Sequence, residues 1–273
     1  MPELPEVETV RRILARHVEG RRIERVEVGR HDLRRPLDGV TLGRVLPGRR
    51  LETPRRRGKF LILDTAPPGA LLVHLGMSGR LMLQDPGAPR LPHTHLVLGL
   101  DDGRELRLVD PRRFGLAVWL EPGEEEADPS LAGLGLEPLA AGLEQALPPR
   151  LAGRRSPVKA LLLDQRIVAG VGNIYAAEAL WRAGIRPTRQ AARISRTRLE
   201  RLAAAIREVL AEAVEQGGTT IRDFATPEGD FGYFAVRLQV YGRAGLPCPR
   251  CTATLHNVTL AGRATAFCPR CQT

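Results

Sequence analysis

The chain has 273 residues and a formal net charge of +10 at pH 7, and of its 41 basic residues all but Lys59 and Lys159 are arginine. Its apolar runs fall well short of the roughly 20 residues a membrane span needs, and its start lacks the basic-then-apolar layout of a signal peptide, so the expectation is a soluble cytoplasmic protein. A field of this sign attracts polyanions and arginine's planar fork suits phosphate, which makes nucleic acid the leading partner and a merely solvated, arginine-biased surface the alternative.

In chain order, the opening MPELPEVE predicts a helix over residues 5 to 18. Pro5 suits a first turn, Glu6 and Glu8 favour the positive end of the helix, and Val7, Val10 and Leu14 make one apolar stripe. Residues 22 to 121 follow as β-type stretches punctuated by Gly and Pro: RIERVEV, RVLPGRRLETP, KFLILDT, ALLVHLGMSGRLML and THLVLGLDDGRELRLVD. Within the last of these, Asp101-Asp102-Gly103 signals a hairpin. Many short strands without a βαβ rhythm predict an antiparallel sandwich. Residues 122 to 155, rich in Gly, Pro and Glu, read as a crossing between domains, after which the pattern turns helical from 156 to 216. The clearest helix runs from Thr197 to Glu215, with Leu199, Leu202, Ile206, Leu210 and Ala213 on one face. Thr197 and Glu200 suit a capping box and Gly217 a stop.

All four cysteines lie near the end, as Cys248-Pro-Arg-Cys251 and Cys268-Pro-Arg-Cys271. The spacing C-x2-C-x16-C-x2-C is that of two knuckles presenting four thiolates to one structural Zn2+. Two disulfides are the alternative, which a cytoplasmic chain disfavours. Between the knuckles the sequence alternates as two strands around Ala261-Gly262, placing Arg263 near a hairpin tip. There it is either an ordinary solvated cation or a finger pushed into a partner.

The helix pattern leaves Pro2 and Glu3 without a purpose. Trimming of Met1 makes Pro2 a terminal secondary amine, and an α-amino group has a reference pKa of about 8, well below that of lysine. Such an amine is partly neutral and nucleophilic near neutral pH. Its attack on a sugar C1′ gives a cationic iminium, an electron sink for elimination at the next carbon, with Glu3 placed to shuttle protons. Many chains begin with Pro, so residue types alone leave this open.

Six motifs in order carry a resemblance that covers nearly the whole chain. PELPEVE, RRGKF at 56 to 60, HLGMSG at 74 to 79, DPRRFG at 110 to 115, LLDQRIVAGVGNIYAAEAL at 162 to 180 and the terminal cysteine finger are similar to those of the bacterial formamidopyrimidine-DNA glycosylases. The resemblance implies an α+β fold: an N-terminal β-sandwich with a first helix at 1–135, a helical domain with a helix-two-turn-helix at 136–235, and a β-hairpin zinc finger at 236–273. It implies a bifunctional repair enzyme on damaged double-stranded DNA, with a monomer as the default expectation. That enzyme excises oxidised purines (8-oxoguanine and formamidopyrimidines) through a Schiff base on Pro2, then cuts the abasic site by β,δ-elimination.

It also assigns residues. Glu3 handles protons around the sugar, Lys59 serves β-elimination and phosphate contact, and Arg263 serves δ-elimination. A glycosylase must flip its target out of the stack. Met77, Arg112 and Phe114 match the wedge that fills the hole, an apolar device known at kinked steps. Read without the resemblance, Met77 is a turn residue, Phe114 core and Arg112 a surface cation. In GVGNIYAAEA, Gly170 and Gly172 permit close backbone approach and Asn173 suits a helix N-cap offering N–H groups to a phosphate; a plain helix packing joint is the equal alternative. The resemblance makes Asn173 a DNA grip, adds His93 and Arg155 as looser matches to DNA contacts, and places Lys159 near the pocket. Residues 217 to 234 match a base-covering loop whose glycines suit a lid. Endonuclease VIII relatives share the proline, glutamate and lysine but act mainly on oxidised pyrimidines; Leu4 with the Met77, Arg112 and Phe114 set fits the purine branch better. Ala266 departs from the larger residue common in relatives. The competing class, a non-catalytic zinc-ribbon DNA-binding protein, gives no role to Pro2, Glu3 or Lys59.

Overall fold

The computed structural model describes residues 1–218 and 238–273, so the expected lid at 217–234 lies outside the described residues except for Gly217 and Gly218. The described chain divides into two compact units, residues 1–132 with Gly217 and Gly218, and residues 133–216 with 238–273.

The first unit opens with helix α1 (Leu4–Val18) and continues through β1 (Ile23–Val28), α2 (Gly39–Val45), β2 (Arg50–Leu51) and β3 (Arg55–Arg57). It ends with β4 (Phe60–Ala66), β5 (Ala70–His74), β6 (Arg80–Gln84), β7 (Thr94–Leu100), β8 (Glu105–Val109) and β9 (Leu116–Leu120). One sheet runs β1-β7-β8-β6 and the other β2-β4-β5-β9, with β3 attached to β4. Every pairing is antiparallel, as the strand spacing predicts. Alternate residues fill the core: Leu61 and Leu63 of β4, Leu71 and Val73 of β5, Leu96, Leu98 and Leu100 of β7, and Leu106 and Leu108 of β8. The α1 stripe of Val7, Val10, Leu14 and Val18 joins the same cluster. Each such side chain contributes about 1.5 to 3 kcal/mol by leaving water. The turn at Asp101-Asp102-Gly103 is present, with Leu100 N–H donating to Arg104 O at 2.9 Å and Gly103 at φ 85°.

Two details depart from the expected strands. RVLPGRRLETP supplies only the short β2, because the end of α2 takes its first residues. Asp38 caps α2 by accepting Thr41 N–H at 2.9 Å, and the buried Leu42 and Leu46 set the helical spacing. In β8 both alternate polar residues are buried: Glu105 and Arg107 pair at 2.6 Å, and Arg107 also donates to Ala88 O and Pro89 O of the loop between β6 and β7.

The second unit holds α3 (Leu143–Leu151), α4 (Val158–Leu163), α5 (Asn173–Arg182), α6 (Arg196–Glu215), β10 (His256–Leu260) and β11 (Arg263–Phe267). Helix α3 falls in the segment expected to be a crossing, with Pro148 and Pro149 inside it. Leu143, Leu147 and Leu151 recur every fourth residue and are at most 2% exposed, so burial against α6 holds a helix the prolines disfavour. The predicted apolar face of α6 is buried. Its start differs: Ser195 is the N-cap, and Glu200 pairs with Arg196 at 2.9 Å instead of closing a box on Thr197. Strands β10 and β11 form the expected hairpin, with Ala261 and Gly262 both at positive φ. Ala266 is buried opposite Asn257, and Arg263 keeps its register opposite Leu260.

Candidate functional site

At the N-terminus of α1, Pro2 is buried and Glu3 is the N-cap. Glu3 and Glu6 form a capping box: the Glu6 N–H donates to the Glu3 carboxylate, and Glu3 N–H donates to Glu6 Oε2 at 2.7 Å. Glu3 is 2% exposed and Glu6 fully buried, so the turn that follows Pro2 is clamped by two carboxylates withdrawn from water. Gly218 lies against this clamp, where a Cβ would sit 3.0 Å from Glu6 Oε1. One turn on, Glu8 binds Arg11, Arg12 and Arg56 at 2.9, 3.0 and 3.1 Å. Burial pushes its carboxyl up, but the three guanidiniums outweigh that and hold it below the usual range.

Lys59 is buried at 7% exposure in the turn between β3 and β4. His74 ends β5 directly opposite Phe60, their rings 4.7 Å apart. Burial, with Arg34 and Lys59 adding to it, lowers the His74 pKa to about 3. The imidazole is therefore neutral, and Nδ1 accepts Gly76 N–H at 2.9 Å.

The loop residues Met77, Arg112, Phe114 and His93 gather around one group the sequence reading missed. Asp110 is fully buried; its carboxylate accepts Ser78 Oγ–H at 2.9 Å, Arg112 N–H at 3.3 Å and Gly115 N–H at 2.8 Å. Its own N–H donates to His93 O at 3.0 Å and its carbonyl meets His95 Nε2 at 3.0 Å. Gly76 completes the joint, since a Cβ there would lie 2.5 Å from Gly115 N and Phe114 C. Phe114 is not core: it is 46% exposed, with the Arg112 guanidinium 4.9 Å from its ring centre. Met77 is half-buried and His93 exposed, the latter at φ 66°.

In the second unit, Lys159 of α4 is fully buried, and its Nζ donates to Asn173 Oδ1 at 2.6 Å and Thr265 Oγ1 at 2.7 Å. Asn173 is not the N-cap of α5; Gly172 is, and Asn173 is the first helical residue. Its carboxamide is drawn sideways by Lys159 and donates to Ala264 O at 3.2 Å, which ties the start of α5 to β11. Thr265 in turn donates to Arg263 O at 3.2 Å. The single lysine thereby positions Asn173 and the strand that bears Arg263. Gln165, also missed, shapes the α4–α5 turn by accepting Gly170 N–H at 2.9 Å and donating to Val171 O at 2.8 Å. Arg155 is exposed in the connection from α3 to α4.

The four cysteines are free thiols whose sulfurs all lie within 4.8 Å of one another. Four sulfurs about 2.3 Å from one zinc lie about 3.8 Å apart, so this set fits a tetrahedral ion with little adjustment. Cys271 N–H already donates to Cys268 Sγ at 3.3 Å. Strand hairpin and knuckles therefore have the arrangement of a zinc finger, in which Cys248, Cys251, Cys268 and Cys271 are the residues able to hold the ion.

A β-sandwich followed by helices joined through a shaped turn and a four-cysteine hairpin defines the class of helix-two-turn-helix zinc-finger proteins. Within it, residues 1–117 match the family described as formamidopyrimidine-DNA glycosylase N-terminal domain, 134–225 its H2TH domain, and 245–273 the zinc finger found in FPG and IleRS. The chain is 51% identical over 273 residues to the formamidopyrimidine-DNA glycosylase of Stenotrophomonas maltophilia strain R551-3, covering all of both chains. It matches the crystal structure of the MutM (Fpg) protein of Thermus thermophilus at 43% identity and TM-score 0.88, over 99% of this chain and 98% of that one. The Lactococcus lactis Fpg, solved in complex with DNA containing an abasic site, matches at 34% identity and TM-score 0.89 over 99% of each chain. The chain belongs to the formamidopyrimidine-DNA glycosylase family.

Proposed function

We propose that this protein is a bifunctional DNA repair glycosylase that removes oxidised purines, 8-oxoguanine and formamidopyrimidines, from duplex DNA and cuts the resulting abasic site. The observation that carries the reading is the clamped N-terminus: Pro2, Glu3 and Glu6 buried together at the head of α1 in a chain of this family. A DNA-binding module has no use for two carboxylates withdrawn from water beside its terminal amine.

With Met1 removed, the neutral Pro2 amine attacks C1′ and the glycosidic bond breaks as the base leaves with a proton. Ring opening gives an iminium between Pro2 and C1′. Loss of a C2′ proton expels the 3′ phosphate, and a second elimination expels the 5′ phosphate, leaving a one-nucleotide gap. Glu3 moves the protons at the sugar. Lys59, withdrawn from water, serves the first elimination and its phosphate; Arg263, at the hairpin, serves the second. The exposed Phe114 with its stacked Arg112, and Met77 beside them, suit a wedge filling the space a flipped nucleotide leaves. Asn173 keeps one amide hydrogen for a phosphate after its two internal bonds; His93 and Arg155 add contacts, and Lys159 positions Asn173. One structural zinc fixes the finger. The three-part division at 1–135, 136–235 and 236–273, a monomeric state and a cytoplasmic location complete the proposal. No described helix is long and apolar enough to cross a membrane.

Borohydride reduction in the presence of a duplex carrying 8-oxoguanine opposite cytosine tests this directly. The expected result is a covalent adduct mapped to Pro2, together with base release and a one-nucleotide gap. Binding without adduct or base release overturns it, and faster release from an oxidised-pyrimidine duplex moves the chain to the pyrimidine branch.

A further inference from the structure

Helix α5 presents Ala177 and Trp181, one turn apart, to a small core made with Val240, Leu255, Cys248 and Cys268. The indole Nε1 of Trp181 is buried and completes no hydrogen bond. A buried N–H donor without an acceptor costs about 1 to 3 kcal/mol, so its neighbour matters. Packed in the same cluster is Cys248, 1% exposed and a member of the four-cysteine set. Arg250, inside the same knuckle, places its guanidinium 4.4 Å from the indole centre. A cation on the ring face draws electron density from the indole and strengthens its N–H as a donor.

We propose that Trp181 is a positioning residue for the metal site: its indole N–H donates to the Cys248 thiolate when that sulfur holds the ion, so that α5 orients and partly neutralises a ligand of the finger. The inference rests on the zinc reading of the four cysteines. Groups in this outer position commonly change metal affinity by about 10- to 100-fold.

The full chain reconstituted with 113Cd, its tryptophans labelled with 15N, shows the bond without any substitution. A scalar coupling between the Trp181 indole proton and 113Cd is expected; a chain that holds the ion without that coupling overturns the proposal. A chain that takes up no ion overturns the zinc reading itself, and the proposal with it. Trp181→Phe keeps the ring and the Arg250 contact while removing the donor. It is expected to release zinc roughly tenfold faster and to move the thiolate-to-metal band of the Co2+ form to lower energy. Unchanged release with an unchanged band overturns the donor role, and a variant that only softens packing leaves the band where it was.

Discussion

His74 shows how one buried group makes stability depend on pH. Its pKa is lowered from 6.5 to about 3 by burial, with Arg34 and Lys59 adding to the cost of a proton. Below about pH 6.5 the unfolded chain takes up a proton that the folded chain refuses, so stability falls with pH across that window and the loss ends near pH 3. The slope reaches about 1.4 kcal/mol per pH unit. Replacing His74 with Asn keeps an acceptor for Gly76 N–H and removes the titration. Urea unfolding of both proteins between pH 7.5 and 4.5 is expected to give a flatter dependence for His74→Asn, and parallel curves would refute a neutral buried imidazole. His74 was quoted in a motif yet given no role by the sequence, and Asp110 likewise, because their partners are set by tertiary packing. Ser78 lies 32 residues from Asp110, and Lys159 reaches Thr265 across 106 residues. Pro2, Glu3 and the four cysteines were legible because terminal position and short spacing are local properties of the chain.

At the scale of elements, α5 organises the second unit. Its first residue, Asn173, is fixed by Lys159 and β11, and its face carries Ala177 and Trp181 into the finger core. Between them Glu178, 6% exposed, accepts three backbone N–H groups: Gln239 on Oε2 at 2.9 Å, and Val240 and Tyr241 on Oε1 at 3.0 and 2.8 Å. One carboxylate thus sets the path by which the chain enters the finger. Glu178→Ala removes the acceptor of three backbone donors, that of Val240 buried and those of Gln239 and Tyr241 half-buried, and is expected to cost on the order of 2 to 4 kcal/mol. Glu178→Gln, which keeps one acceptor oxygen, is expected to lose about half as much. Denaturant titration checks the size, and faster amide exchange at residues 239 to 241 checks the place; a silent Glu178→Ala would show that other groups set this path. The sequence showed α1, α6 and the two hairpins because each carries its own periodicity or turn residues. It hid α3, whose helix exists through burial on α6 in spite of Pro148 and Pro149, and α2, whose seven residues are too few for a period.

For the whole molecule, a formal charge of +10 matters less than which cations remain unneutralised. Arg35, Arg55, Arg104, Arg166 and Arg182 each hold a carboxylate at 2.6 to 2.8 Å, so they present little charge to a polyanion. Arg112, Arg155 and Arg263 have no carboxylate partner among the described residues, and all three are exposed. Such cations are free to displace counterions from a phosphate backbone, each contact adding about 0.9 to the slope of log affinity against log salt. Arg155→Ala is therefore expected to weaken binding to every duplex alike, damaged or not, and to reduce the slope by about 0.9. Arg104→Ala is the matched control: Asp102 already neutralises that side chain at 2.6 Å, and its removal is expected to leave the slope in place. Fluorescence anisotropy on an undamaged duplex, between about 50 and 200 mM salt, separates the two. Equal slopes for wild type and Arg155→Ala would remove Arg155 from the phosphate contacts, whereas a reduced slope in both variants would mean that the field acts through total charge and not through the unpaired arginines.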